Sequence, residues 1–526
     1  MDRPTSRVDA GFGSIVWPAP GRRGVRQSDD ARHDLALDQV FARLGRDAPL
    51  AVDAFETLLG SAAEVEYRQA VFRGLDENAS LRDAVHQFLR AWTSCAASER
   101  TSREARHPYE SELWRLRAVV TYADAVDAFA QGLSESVPSS AAASEGWDRL
   151  VDHLRGYRES RGFGRLATEA RAVRDQIGTL DYNVLVRGAR VTVARADGES
   201  SLGEAVASVF ARFRQGDGAD SRTELRETTL DHVQAWILER VAQVHPEPFA
   251  RLARFAADTR DYRDRALTRF ADEVRFYLAY LDYLAPLREA GLPVCYPTVV
   301  EPGKRLHVSD TWDLALAARL VADGREVVTN DLALDGPERI AVISGPNQGG
   351  KTTMARVFGQ VSYLAALGCP VPGTGARVPL CDRVLTLFER GEQLGTLEGR
   401  LGAEIDRLHE LLGSATDRSV IVLNEAFAST ALQDARVLTR DVLERIGALD
   451  ALAVCVTFID ELSRLNEKTV SMVGAVDPSD PAVRTFRVER RVADGLAYAR
   501  ALARKHGLTA EQIAVRLSAP SREETP

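Results

Sequence analysis

Residues 339–368 read RIAVISGPNQGGKTTMARVFGQVSYLAALG, and this stretch decides the fold of the C-terminal half. Its centre, Gly345-Pro346-Asn347-Gln348-Gly349-Gly350-Lys351-Thr352-Thr353, fits the phosphate-loop pattern G-x-x-x-x-G-K-[ST]. The glycines let backbone N–H groups turn inward around phosphates. Lys351 is placed to reach the β- and γ-phosphates, and the Thr352 hydroxyl to ligate Mg²⁺. The flanks agree. An apolar, strand-like run ends at Ser344, and Met354, Val357, Phe358, Val361 and Leu364 lay an apolar stripe at helical spacing behind the loop. Gly368 and Pro370 then stop that helix. The stretch predicts a strand, a loop and a helix that bind ATP with Mg²⁺.

From about Leu332 the texture is α/β. The runs Val420 to Leu423 and Ala451 to Phe458 are apolar without alternation and sit between helical patterns, as buried parallel strands do. Upstream the pattern is helical. Leu37, Val40, Phe41 and Leu44 share one helix face, and Val274, Leu278, Leu281 and Leu284 form another stripe. Val184, Val186, Val191 and Val193 alternate around Arg187-Gly188 and predict a β-hairpin. Residues 133–146, LSESVPSSAAASEG, read as a loop.

With 526 residues the chain is too long for one core. Apolar residues make up 45% and charged residues 27%, which excludes wholesale disorder. No run of about eighteen uncharged apolar residues occurs, so no membrane span is expected, and the N-terminus lacks the apolar core of a secretory signal. Five scattered cysteines without a C-x-x-C pair argue against a disulfide framework or zinc module and fit a reducing cytoplasm. A net charge of −9 does not advertise nucleic-acid binding, though it leaves room for a local basic face. The nine histidines form no H-E-x-x-H, so no protein metal site beyond Mg-ATP is expected; nor is there a G-x-S-x-G elbow.

The loop sequence Gly-Pro-Asn-x-Gly-Gly-Lys-Thr-Thr resembles that of MutS-type ATPases, within the broader ABC class. Other pieces follow in register. Gly368-Cys-Pro-Val-Pro372 is similar to the family's G-x-x-V-P, and Asp382-Arg383-Val384 to its D-R-I/V. Ser419 to Glu425 (SVIVLNE) resembles the Walker B strand, followed by Thr430 and Asp434 in place of its G-T-S-x-x-D turn. Glu66-Tyr67-Arg68-Gln69 and the long helices resemble, less specifically, the core and lever helices. The resemblance is strong over about 330–505 and looser over about 32–300. Residues 1–31, rich in Gly, Pro and Arg without a sustained apolar period, read as a flexible tail; the resemblance implies a helical core- and lever-like region over 32–300, which holds the small hairpin near 182–194, a P-loop NTPase domain of the ABC/MutS type over 301–510, and a C-terminal helix end and tail over 511–526. The fold class is thus an α-helical N-terminal region followed by an α/β P-loop domain.

The departures from the family pattern carry chemistry. Walker B ends Asn424-Glu425 where the family has Asp-Glu; Glu425 is the candidate for placing the attacking water. Asn424 and Thr352 are the expected metal-side residues, and an amide oxygen can accept from a Mg-bound water without bringing charge. Ungapped alignment puts the signature serine on Gly399, with Arg400 beside it either as a finger-like charge or as an exposed arginine. Glu404 and Arg407, three apart on one helix, read as a solvated ion pair. The switch histidine falls on Phe458, and the S-Y-G motif on Ala497-Tyr498-Ala499. No phenylalanine is followed two residues later by glutamate, the wedge of mismatch-reading members. The resemblance therefore implies a shortened, divergent member without the mismatch-recognition domain. It further implies a cytoplasmic homodimer joined through its ATPase domains that contacts DNA, as a slow ATPase acting as a clamp or DNA-structure binder in repair or recombination. Asn424, Gly399 and Phe458 keep open the alternative of a nucleotide-dependent switch or scaffold with little hydrolysis, acting on a protein partner.

Overall fold

A computed structural model describes residues 12–18, 24–47, 52–136, 144–187, 190–195, 232–389, 400–477, 483–493 and 508–518. The chain divides into two compact units. One comprises residues 1–15 and 73–271, the other 16–72 and 272–526.

The second unit is built on a six-stranded sheet. Its elements in chain order are β1 (Ile340–Ser344), α1 (Lys351–Ala366), β2 (Val384–Phe388), α2 (Arg400–Ser414), β3 (Val420–Asn424), α3 (Leu432–Leu449), β4 (Leu452–Val456), β5 (Thr469–Val476) and β6 (Arg484–Arg490). The strand order is β2-β3-β4-β1-β5-β6, parallel except for β6. Every residue of β1, β3 and β4 is buried, which is why these strands read as unbroken apolar runs. Leu408 and Leu411 of α2 and Val442, Leu443 and Ile446 of α3 share one core with Ile340, Val342, Ile421 and Leu423 of the strands. The parallel register sets Asn424 beside Val456, and Val456 beside Ile343. The C-terminal ends of the three central strands therefore lie side by side, where ligands bind in open α/β sheets. A separate four-stranded sheet pairs residues 298–300, 375–379, 306–311 and 330–334 in that order. The sequence pattern did not distinguish it, because each strand is short and only partly apolar.

Residues 16–72 are stitched to β2 and α1 of this unit. Gln27 Oε1 accepts from Val384 N (2.9 Å) and Asp34 Oδ2 from the Thr386 hydroxyl (2.7 Å), so outer strand β2 is partnered at its backbone and its face. Leu35 O accepts from Gln360 Nε2 and Phe55 O from the Tyr363 hydroxyl, both on α1. Arg68, fully buried, donates from Nε to Val16 O and from Nη1 to Leu367 O, both at 3.0 Å, and stacks 4.4 Å from the Trp17 ring. Gly368, in the left-handed region at φ +74°, closes α1 against it; a Cβ there would meet Arg68 Cβ at 2.8 Å. The family-like Arg68 and Gly368 are thus two halves of one contact. The loose tail expected over 1–31 needs correction within residues 12–18 and 24–31. Ile15 and Val16 are buried, and Ser28 caps the short helix Asp29–Asp34 through Ala31 N. A Gly- and Pro-rich composition reports local backbone freedom, not the long-range contacts that hold these residues.

Truncating Arg68 to alanine strands two buried carbonyls and opens a cavity beneath Trp17. We expect a stability loss of about 3 kcal/mol or more in denaturant titration. Arg68→Met, which keeps most of the volume, should recover the packing part alone, and a loss below about 0.5 kcal/mol for alanine would contradict the clamp.

The first unit is helical: Ala79–Glu104, Pro108–Ser136, Glu145–Glu159, Arg161–Gly178, His232–Val244 and Pro246–Asp258. Asn78 and Ser160 cap two of these helices through Leu81 N and Phe163 N. Phe88 and Phe129 stack with ring centroids 4.3 Å apart, and Phe270 packs on Phe129 at 5.4 Å. Strands Tyr182–Arg187 and Arg190–Arg195 pair antiparallel, Val184 opposite Val193. Among the described residues, no helix is long and apolar enough to cross a membrane. The helix Ala510–Ser518 lies at the C-terminal end of the described chain.

Candidate nucleotide site

The loop after β1 needs conformations that its glycines supply. Gly345 has φ +120°, and a Cβ on it would lie 3.0 Å from Gly474 N of β5; Gly350 has φ +91° and directly precedes α1. Gln348, without a glycine's freedom, is also left-handed at φ +61°. Gly349 N donates to Pro346 O (3.3 Å), and Met354 N to Gly350 O (2.9 Å). The Lys351 side chain folds back over the loop: Nζ donates to Gly345 O (2.8 Å) and Asn347 Oδ1 (3.3 Å). Burial pushes its ammonium below the ordinary lysine range, opposed by the nearby carboxylates of Glu425 and Asp460 and reinforced by Arg484. A left-handed glycine turn, a cation and the positive end of a sixteen-residue helix thus converge, an arrangement suited to an anion.

Next to this loop, β3 ends at Asn424, which is only 8% exposed. Its Oδ1 is a buried acceptor with no hydrogen-bond partner among the described residues. Such an orphaned oxygen costs stability unless a donor or hydrated cation approaches it. The side-chain oxygens of Asn424 and Thr352 are hard donors, the chemistry that Mg²⁺ with its waters takes. Glu425 follows at φ +55°, its N–H donating to Val456 O (3.0 Å). After β4, Thr457 N donates to Ile343 O (3.0 Å), and its hydroxyl accepts from Ile459 N (3.1 Å). Phe458 then stands 51% exposed at the same sheet edge as Asn424. Its ring can neither donate nor accept the hydrogen bonds that an imidazole would make.

Of the residues singled out in the sequence, the structure brings Gly345 to Thr353, Asn424, Glu425 and Phe458 to one edge of the sheet. Gly399 and Ala497-Tyr498-Ala499 lie outside the described residues, as does the Arg400 side chain. Asp382, matched to D-R-V, is not at this edge. Its carboxylate accepts from the Thr416 (2.8 Å) and Ser419 (2.9 Å) hydroxyls, pinning the entry to β3. Glu404, expected in a solvated pair with Arg407, instead accepts from Phe427 N (2.9 Å).

Sequence reasoning missed β6. Arg484 Nε donates to Asn347 O (3.1 Å), and Phe486, half exposed at φ +58°, places its carbonyl 3.4 Å from where a Gly350 Cβ would be. Asn330 holds one edge of that strand with both ends of its amide, Nδ2 donating to Phe486 O (3.2 Å) and Oδ1 accepting from Val488 N (2.7 Å). A cleft of about 330 Å³ opens here, lined in part by Asn330, Met472 and Arg487. No short-range pattern announces these residues; a single phenylalanine among charged neighbours is their only trace in sequence.

Residues 341–514 match the family model described as MutS domain V. A protein of Sorangium cellulosum named DNA mismatch repair protein MutS is 28% identical over 392 residues, 70% of this chain and 40% of the relative. DNA mismatch repair protein MutS 2 of Halobacterium salinarum is 31% identical over 189 residues, 35% of this chain and 21% of its own length. The MutS of Pelotomaculum thermopropionicum is 28% identical over 262 residues, 48% of this chain and 30% of that protein. The chain spans less than half the length of these relatives. The glycine-rich loop after β1 and strand β3 with Glu425 behind it both fall within the span 341–514, and it is over this C-terminal part that the chain is similar to MutS domain V.

Proposed function

We propose that this protein binds ATP with Mg²⁺ in its C-terminal unit and uses it to control contact with DNA, as a clamp or DNA-structure binder in repair or recombination. The observation that carries the reading is the shared edge where the phosphate loop, Asn424 and Glu425 meet, within a domain whose relatives are named DNA mismatch repair proteins. The loop amides and Lys351 would hold the phosphates, with Thr352 and Asn424 on the metal side. Bound Mg²⁺ supplies charge neutralisation at the phosphate oxygens. Glu425 would orient the attacking water and take its proton. Gly345, Pro346, Asn347, Gln348, Gly349, Gly350 and Thr353 complete the nucleotide cradle. Two such domains would pair across the nucleotide, giving a homodimer and a slow ATPase.

The neutral Asn424 and the apolar Phe458 favour a second reading, a nucleotide-dependent switch that hydrolyses little ATP and acts on a protein partner. DNA affinity measured against salt separates the two. A clamp that neutralises several phosphates should lose about 10³-fold or more in affinity between 50 and 200 mM salt, and change affinity with ATP-Mg. Absent or salt-insensitive DNA binding would decide for the switch.

A further inference from the structure

We propose that Glu404 is a positioning residue for Glu425, acting through the backbone of the turn that carries it; the inference rests on the water-placing role of Glu425 proposed above. The turn after β3 is strained. Glu425 and Phe427 are both left-handed, at φ +55° and +61°, although neither is glycine. Its internal bonds are few and long: Ala428 N to Glu425 O and Thr430 N to Phe427 O, each at 3.2 Å. A short external bond supplements them, Phe427 N donating to Glu404 Oε1 at 2.9 Å.

Helix α2 grips Phe427 twice. Leu401, Glu404 and Leu408 lie at i, i+3 and i+7, on one helix face. Leu408 and the Phe427 ring, 1% exposed, belong to the same buried core, with Leu401 packed against it. The ring is thus fixed by apolar packing and the N–H of the same residue by a carboxylate. A charge-assisted acceptor is stronger than a neutral one and directional, so it sets the peptide orientation that packing alone leaves free. Glu425 is two residues away, and its own N–H is tied to Val456 O (3.0 Å). With both ends of the Glu425–Phe427 segment held, its side chain has one backbone direction from which to leave. Releasing Phe427 N would let the turn relax towards ordinary φ and swing Glu425 away from the phosphate loop.

The test compares the full-length wild type with Glu404→Ala, Glu404→Gln, Glu404→Asp, Glu425→Gln and the Glu404→Ala/Glu425→Gln double variant. Single-turnover ATP hydrolysis, ATP affinity and amide hydrogen exchange over 425–430 are read for each. Expected are a kcat loss of about tenfold or more for Glu404→Ala with ATP affinity within about twofold, and faster exchange in the turn. Glu404→Gln, whose amide oxygen still accepts, should keep most of the activity. Glu404→Asp, too short to reach, should behave like alanine while preserving charge. The double variant should be no slower than Glu425→Gln alone. The proposal is overturned if Glu404→Ala turns over at the wild-type rate while Glu425→Gln is impaired, if Gln is as damaging as Ala, or if the two losses multiply. If Glu425→Gln hydrolyses like the wild type, or the wild type is inert, the role of Glu425 fails first and takes this inference with it.

Discussion

Replacing Lys351 with alanine is expected to weaken ATP binding by roughly ten- to a hundredfold, because a hydrogen bond from a charged donor contributes about 1.5–3 kcal/mol. The lysine is 5% exposed and already lies over the loop, bonded to Gly345 O at 2.8 Å. It therefore needs little reorganisation to meet a phosphate, and its loss is felt as lost attraction more than as lost order. Lys351→Met, which keeps the apolar stem, should lose nearly as much affinity while leaving the melting temperature close to wild type. Since burial holds the ammonium below the ordinary lysine range, wild-type affinity should also fall at alkaline pH earlier than a solvent-exposed lysine would require. Calorimetric titration with ATP checks both points. Unchanged affinity in the alanine variant would remove the phosphate-loop assignment.

Glu425→Gln is expected to lower hydrolysis by about 10²–10⁴-fold with little change in ATP affinity, since it removes a proton acceptor and keeps the shape and backbone of the turn. Asn424→Asp probes the neighbouring position in the opposite sense. Without metal, a carboxylate at this 8% exposed site is an unpaired buried charge, which can cost about 3–5 kcal/mol. The melting temperature should therefore drop, then recover on adding Mg-ATP, and the Mg²⁺ concentration needed for activity should fall. The pair of variants separates water placement from metal placement. A wild type that binds ATP tightly yet never hydrolyses it, with no response to Asn424→Asp, would make the switch reading the better one.

The loop between β1 and α1 was legible because its pattern is local. Gly345, Gly350, Lys351 and Thr352 must stand within eight consecutive residues for one turn of backbone to wrap a phosphate group. Strands β1, β3 and β4 were legible because burial on both faces leaves no polar alternation. Helical stripes upstream were visible for the analogous reason, one apolar face per helix. Glu404 was read as half of a surface pair because i, i+3 spacing to Arg407 is all that sequence exposes. Its acceptor role depends on Phe427, which reaches it only through the folding of β3 against α2. Arg484 and Phe486 stayed hidden because β6 turns back beside the loop from more than 130 residues downstream.

The sequence by itself determined that a glycine-rich loop follows a buried strand of a parallel sheet and opens a helix, and that an amide and a carboxylate, Asn424 and Glu425, stand at the end of β3. These follow from side-chain type and short spacing, which the backbone reads locally. Only the tertiary structure decided that residues 16–72 belong with the unit that holds the six-stranded sheet, that Arg68 closes the far end of α1, and that Glu404 accepts from Phe427 N in the turn after β3. Each rests on a hydrogen bond to a backbone atom of a distant segment. A backbone N–H or carbonyl is the same at every residue, so no sequence pattern marks which one a buried side chain will meet.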